Sequence, residues 1–286
     1  MPLWISITIQ VSIVLVVFAI GLETTWANAI SLFQQPVMLI KSLVARNVAM
    51  PLVAILLVKA FPVYPAVRGA IVLLSVTPIP PDLPIALPKG SAHASYVRGL
   101  LVSHSVFAIV LMPLTVEVMN LVFGAKARFG PLPVAKEIVL DILVPLGAGM
   151  ALRHALEASG PRLARSIGIV GTLLLLVSIF PSKVVAWQAL QVVVGNGALV
   201  ALALFVIAGL AAGHALGGPK ESDRTVLALA TASRHPGLAI AIAAANFPAQ
   251  TRLATGVVII YLLLSQILFI PYKRWRRSAA EAVITT

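Results

Sequence analysis

Two clusters of helix-breaking residues inside otherwise apolar, membrane-length runs constrain this chain more than any other feature. They are Pro78-Ile79-Pro80-Pro81-Asp82-Leu83-Pro84 and Ser233-Arg234-His235-Pro236-Gly237. Proline lacks a backbone donor and clashes with the preceding turn, so neither run continues as unbroken helix. Freed carbonyls and amides are tolerated at membrane depth only where protein or a water-filled cavity covers them. A pair of discontinuous helices therefore points to a solute or ion site near the bilayer midplane.

The rest of the chain supplies the membrane. Hydrophobic residues make up 60% of the 286 residues and charged ones 10%, with a mean hydropathy of +1.03, far from the soluble range. There is no cysteine, which excludes disulfides, thiolate metal sites and cysteine nucleophiles. The formal charge of +12 is scattered over short loops and the run Lys273-Arg274-Trp275-Arg276-Arg277. That pattern reads as topology signals and contacts with the lipid bilayer, not as nucleic-acid binding. No His-Glu-x-x-His, paired-carboxylate or nucleophile constellation is visible, so neither an enzyme nor a cofactor is expected. Ala27-Asn28-Ala29 has the form of a signal cleavage site, but the first positive charge is Lys41, so the first run is expected to stay as a helix.

Spanning or broken-spanning runs lie near 4–22, 40–59, 66–88, 91–122, 134–152, 165–183, 190–216, 223–247 and 251–271, nine crossings in all. With the C-terminal basic run placed in the cytoplasm, eleven Lys and Arg fall inside and seven outside, which favours N-terminus out and C-terminus in. The third and eighth runs carry the breaks and traverse the membrane in opposite directions. This predicts an all-α integral membrane fold, an inverted repeat with two broken, crossed helices in one domain over 1–286. The half-repeats would cover about 1–123 and 134–272, with a basic cytoplasmic tail at 273–286.

Four stretches make the chain resemble the bile acid/sodium symporter family. They are Phe18-Ala19-Ile20-Gly21-Leu22; Gln34-Gln35-Pro36 leading to Ala45-Arg46-Asn47-Val48-Ala49-Met50-Pro51; Val72-Leu73-Leu74-Ser75-Val76-Thr77-Pro78; and Pro236 through Phe247. The resemblance runs over nearly the whole chain and implies a panel domain, a core domain holding the crossed helices, and alternating access. Its register matches the first helix here to the family's second, so one N-terminal helix is expected to be missing. Sodium coupling does not carry over cleanly. The family's principal sodium-ligating glutamate falls on Ala230, and two glutamine ligands fall on Arg234 and Arg46. The Ser-Asn pair after the first break gives way to proline-rich sequence. Of two hydroxyl ligands on the next helix, one matches Ser105 and the other falls on Leu101.

Two guanidinium groups in that space repel a sodium ion and need compensation, since each buried arginine costs at least ~2.5–3.5 kcal/mol on insertion scales. Asp82 is the expected partner. One aspartate against Arg46 and Arg234 leaves surplus positive charge, which suits a carboxylate or sulfonate held in bidentate fashion. Two roles stay open for these three residues, a permanent brace between the helices and a substrate clamp. His235 is a candidate proton carrier or a plain polar break residue. The hydroxyls of Thr77, Thr231 and Ser233 either satisfy freed backbone groups or touch substrate. His104, beside Ser105, is expected to bond a neighbouring helix, Arg98 to snorkel, and Asp141 to pair with Arg98 or Lys136. The expectation is a secondary transporter of a small organic or amphipathic anion in a bacterial inner membrane, without the family's dual-sodium site and with sodium or proton coupling open. The alternatives are a sodium-dependent symporter using Asp82 and a non-transporting membrane sensor or assembly protein.

Overall fold

The computed structural model describes residues 3–80, 83, 91–123, 136, 138–156, 159–179, 190, 191, 193, 196–240 and 251–284. Regular structure among them is entirely helical. The helices are α1 (Leu3–Glu23), α2 (Trp26–Ile30), α3 (Pro36–Val44), α4 (Met50–Ala60), α5 (Pro65–Val76) and α6 (Ser91–Phe123), then α7 (Val144–Leu156), α8 (Gly160–Ile179), α9 (Ala198–Leu216), α10 (Glu221–Ala232) and α11 (Thr251–Ile284). Among the described residues, five stretches are long and apolar enough to cross a membrane: Pro36–Ala60, Ser95–Thr115, Val139–Leu156, Ala198–Leu216 and Thr251–Ser278. Helices also occupy parts of the other four expected crossings.

Two proline effects shape the path of the chain. Pro51 and Pro145 each deprive the preceding turn of a donor, and each is preceded by a π-helical turn, Ala45–Ala49 and Val139–Leu143. The wider turn absorbs the missing hydrogen bond and the ring clash without ending the helix. Arg46 and Asp141 sit in these turns. At the expected breaks, α5 stops at Val76 with Thr77 extended, and α10 stops at Ala232 with Ser233 extended. Helix resumes at 236–240.

Three segments add detail to the expected layout. In the run expected at 190–216, residues 190, 191 and 193 are helical, the chain turns at 196–197 with Gly197 at φ 68°, a conformation that glycine adopts at little cost, and helix continues over Ala198–Leu216. The short α2 carries no proline or apolar-period signal. The basic segment at 273–284 is helical and continuous with α11, with Pro271 inside the helix.

Packing divides the helices into two groups. α1 lies chiefly against α7 and α8, whereas α9 lies chiefly against α10, and α5 against α11 and α4. Ile13, Val17, Ile142, Leu146 and Met150 form one buried cluster, while a larger one joins α3–α6 to α9–α11 around Leu74, Leu100, Phe205 and Tyr261. Large apolar side chains also face outward, including Leu56 at 67% and Leu121 at 77% exposure, which suits lipid and not water.

Small residues let the backbones approach where apolar bulk would hold them apart. A Cβ on Gly21 would lie 2.9 Å from Gly149 Cα, and one on Gly149 would lie 2.9 Å from Gly21 Cα. On α9, added Cβ atoms at Gly209 and Gly213 would lie 2.9 Å from Ala232 Cα and 2.5 Å from Ala228 Cα. This glycine stripe seats α10 and so sets the depth of the second break. The other end of α10 is tied to α11, where Arg276 pairs with Glu221 and donates from Nε to Thr225 Oγ1 at 3.0 Å.

Candidate functional site at the helix breaks

The ends of α5 and α10 leave backbone carbonyls without helical donors. Two buried arginines answer them. Arg46, 2% exposed, extends from the π-helical turn and donates from Nη1 to the carbonyls of Ala230 and, at 3.2 Å, of Ser233. Its Nη2 donates to the Thr77 carbonyl at 3.0 Å. One guanidinium therefore joins the C-terminal ends of both broken helices.

Arg234, 1% exposed, sits within the second break and reaches the first. Its Nη1 donates to the Ser75 carbonyl at 3.1 Å and to the Thr77 carbonyl at 3.4 Å. The guanidinium carbon lies 5.9 Å from the centroid of the Phe205 ring, within cation–π range. Nε and Nη2 of Arg234, and the hydroxyl of Thr231 at 0% exposure, meet no hydrogen-bond partner among the described residues. Thr77 contributes chiefly through its carbonyl, shared by both arginines, while its Oγ1 donates back to Leu74 O at 3.0 Å.

Tyr261 completes the cluster from α11, its hydroxyl donating to the Ala232 carbonyl. It lies within electrostatic reach of both guanidinium groups, near enough to that of Arg234 for its phenol oxygen to accept from it, and packs on Phe205, ring centroids 5.9 Å apart. The sequence reading missed Tyr261 and Phe205. A phenol inside an apolar helix was a usable signal, because a buried tyrosine hydroxyl normally needs a partner.

The other expected site residues separate into distinct roles. His235 caps the short helix after the break: Nδ1 accepts from Leu238 N at 3.2 Å, and its carbonyl accepts from Ala239 N at 3.3 Å. Ser233 presents its carbonyl to Arg46. Ser105 is buried, but its Oγ donates along its own helix to Leu101 O at 2.6 Å. His104 bonds across helices as expected, Nε2 to Ser42 Oγ at 3.0 Å. Asp82 lies outside the described residues. Among the described residues the acceptors of Arg46 and Arg234 are backbone carbonyls, not carboxylates.

One pairing expectation needs correction. Arg98 meets Glu23 at 3.3 Å, and Asp141 hydrogen-bonds Gln10 on α1. α1 covers the π-helical turn that carries Asp141, and its last residue, Glu23, supplies the carboxylate for Arg98.

Backbone carbonyls at the C-terminal ends of half-helices are the usual cradle for a coupling cation in transporters built on broken helices. Here the carbonyls at both helix ends accept from guanidinium groups. Among the described residues no cluster of His, Cys, Asp or Glu is arranged to hold a metal ion. Comparison with curated proteins yields no match. A family model described as Sodium Bile acid symporter family matches residues 10–196, a segment that includes Arg46, the first break and Ser105 and ends before the second break. With well over half its length matched, the chain belongs to the Sodium Bile acid symporter family and is a membrane-embedded secondary transporter, not an enzyme.

Proposed function

We propose that this transporter carries small organic or amphipathic anions by alternating access at a site between the two breaks, and that Arg46 and Arg234 stand in for the family's coupling sodium. One observation carries the reading: Arg46 hydrogen-bonds backbone carbonyls at both breaks. A helix C-terminus carries roughly half a negative charge, so two of them offer about −1 against the +2 of the guanidinium groups. The surplus of about +1 favours an anion. A sodium ion about 4 Å from either guanidinium would be repelled by roughly 4 kcal/mol at an effective dielectric near 20. That is close to a thousandfold in affinity.

The register of the resemblance supports the same reading. Ala230 stands where the family's sodium-ligating glutamate would, and Arg46 donates to the Ala230 carbonyl. A nine-crossing inverted repeat, with the N-terminus outside and the C-terminus cytoplasmic, fits the placement of the breaks at α5 and α10. It also fits the π-helical turns before Pro51 and Pro145. The separate packing of α1, α7 and α8 suits a panel moving against a core.

Uptake by reconstituted protein tests this. Proteoliposomes preloaded with unlabelled organic acids are given the same acids in labelled form, with sodium or choline as the bulk cation. Exchange at equal rates in both salts is the expected result. Exchange that requires sodium would restore symport and overturn the replacement of the ion by arginine.

A further inference from the structure

We infer that the Nε–Nη2 edge of Arg234, together with the Thr231 hydroxyl, is the subsite that grips the substrate's anionic head, and that the head is a planar carboxylate. This rests on the reading of the protein as an anion transporter and narrows its substrate class.

The three donors are unpartnered among the described residues although both side chains are almost wholly buried, Arg234 at 1% and Thr231 at 0% exposure. Buried polar groups in native proteins are nearly always hydrogen-bonded, and an orphan costs about 1–3 kcal/mol. The Tyr261 phenol lies within reach of the Arg234 guanidinium but makes no close hydrogen bond to Nε or Nη2, so these donors and the Thr231 hydroxyl suit an acceptor that arrives with the substrate. The pattern within Arg234 is specific. Nη1 is spent on the carbonyls of Ser75 and Thr77 and fixes the plane of the group, while Phe205 covers one face. Nε–H and Nη2–H project from a single edge of the guanidinium, parallel and spaced to match the two oxygens of a carboxylate. Arg46 has no such role, because both of its Nη atoms are engaged with carbonyls. The two arginines thus divide the work, Arg46 holding the breaks together and Arg234 holding both a break and a ligand.

Thr231 lies in the last turn of α10, and Arg234 lies within the break. A rearrangement that parts the breaks would alter the Nη1 contacts of Arg234 and change the aim of the fork. Substrate release would then be coupled to the movement that opens the site.

Formate, the smallest carboxylate, tests the subsite without knowledge of the rest of the substrate. Full-length protein labelled with 15N-arginine in detergent gives an NMR signal for each arginine Nε–H, and that of Arg234 is identified by its loss in Arg234→Lys. Choline formate is titrated against choline chloride at equal ionic strength, with formamide as the uncharged control. The Arg234 Nε–H signal should shift saturably with formate alone, and Thr231→Val should weaken the apparent affinity about two- to tenfold. A signal that ignores formate, or follows chloride equally, overturns the subsite. Thermal unfolding gives an independent reading. Formate should stabilise the wild type and not Arg234→Lys, which keeps the charge and loses the fork; equal stabilisation of both contradicts the assignment. Anion exchange in proteoliposomes without any formate response removes the subsite but leaves transport standing. A formate response without exchange does the reverse.

Discussion

Replacing Arg46 with methionine separates a brace from a burden. The side chain keeps comparable apolar length and loses every donor. Three hydrogen bonds go with it, to the carbonyls of Ala230, Ser233 and Thr77. Bonds to a charged donor contribute about 1.5–3 kcal/mol each, so the loss is about 4.5–9 kcal/mol. Burial of the guanidinium cost about 2.5–3.5 kcal/mol, which the variant recovers. The net destabilisation is then about 1–6.5 kcal/mol, and at roughly 2–4 °C per kcal/mol the unfolding midpoint should fall by at least about 2 °C. Thermal unfolding of the purified protein in one detergent, followed by tryptophan fluorescence, measures this directly. Arg46→Gln, which keeps a donor but not the reach, should fall between the two. A methionine variant as stable as the wild type would refute the argument, because it would mean that the carbonyls at both breaks do not depend on the guanidinium.

Gly213→Ala should be among the most damaging methyl additions in the chain, since the new Cβ would lie 2.4 Å from Leu227 O and 2.5 Å from Ala228 Cα. The expected cost is about 1–3 kcal/mol, with exchange impaired as α10 is displaced. Normal stability and transport would contradict the close α9–α10 contact. His235→Ala should lose the cap made by Nδ1 on Leu238 N, at about 1 kcal/mol, whereas His235→Asn should retain most of it. If His235 acts only as a cap, His235→Asn should also keep the wild-type pH profile of exchange; a lost acid or alkaline limb would assign it a proton.

Particular residues show which parts of this account were legible in the sequence. Both breaks were, because Pro78, Pro80 and Pro236 forbid regular helix and Arg234 is too costly to face lipid. Arg46 was singled out for the same reason, helped by the register of the family resemblance. The acceptors of the two guanidinium groups were not legible. A carbonyl is common to every residue, and only the stopping points of α5 and α10 decide that those of Ser75, Thr77, Ala230 and Ser233 are free. Side-chain reasoning looked for a carboxylate and so turned to Asp82. The π-helical turns were half visible: Pro51 and Pro145 announced a disturbance but not its form. The glycines at 209 and 213 repeat at helical small-residue spacing, a signal sufficient to predict a close contact on α9 but silent on its partner.

Sodium binding to the purified protein separates replacement of the ion by arginine from retention of its site. Unfolding midpoints of the wild type are followed as sodium chloride replaces choline chloride at constant ionic strength, with no organic anion present. Arginines that occupy the cation's place predict superimposable curves for the two salts. A saturable stabilisation specific to sodium would show that the ion still has its site and that the guanidinium groups do not replace it.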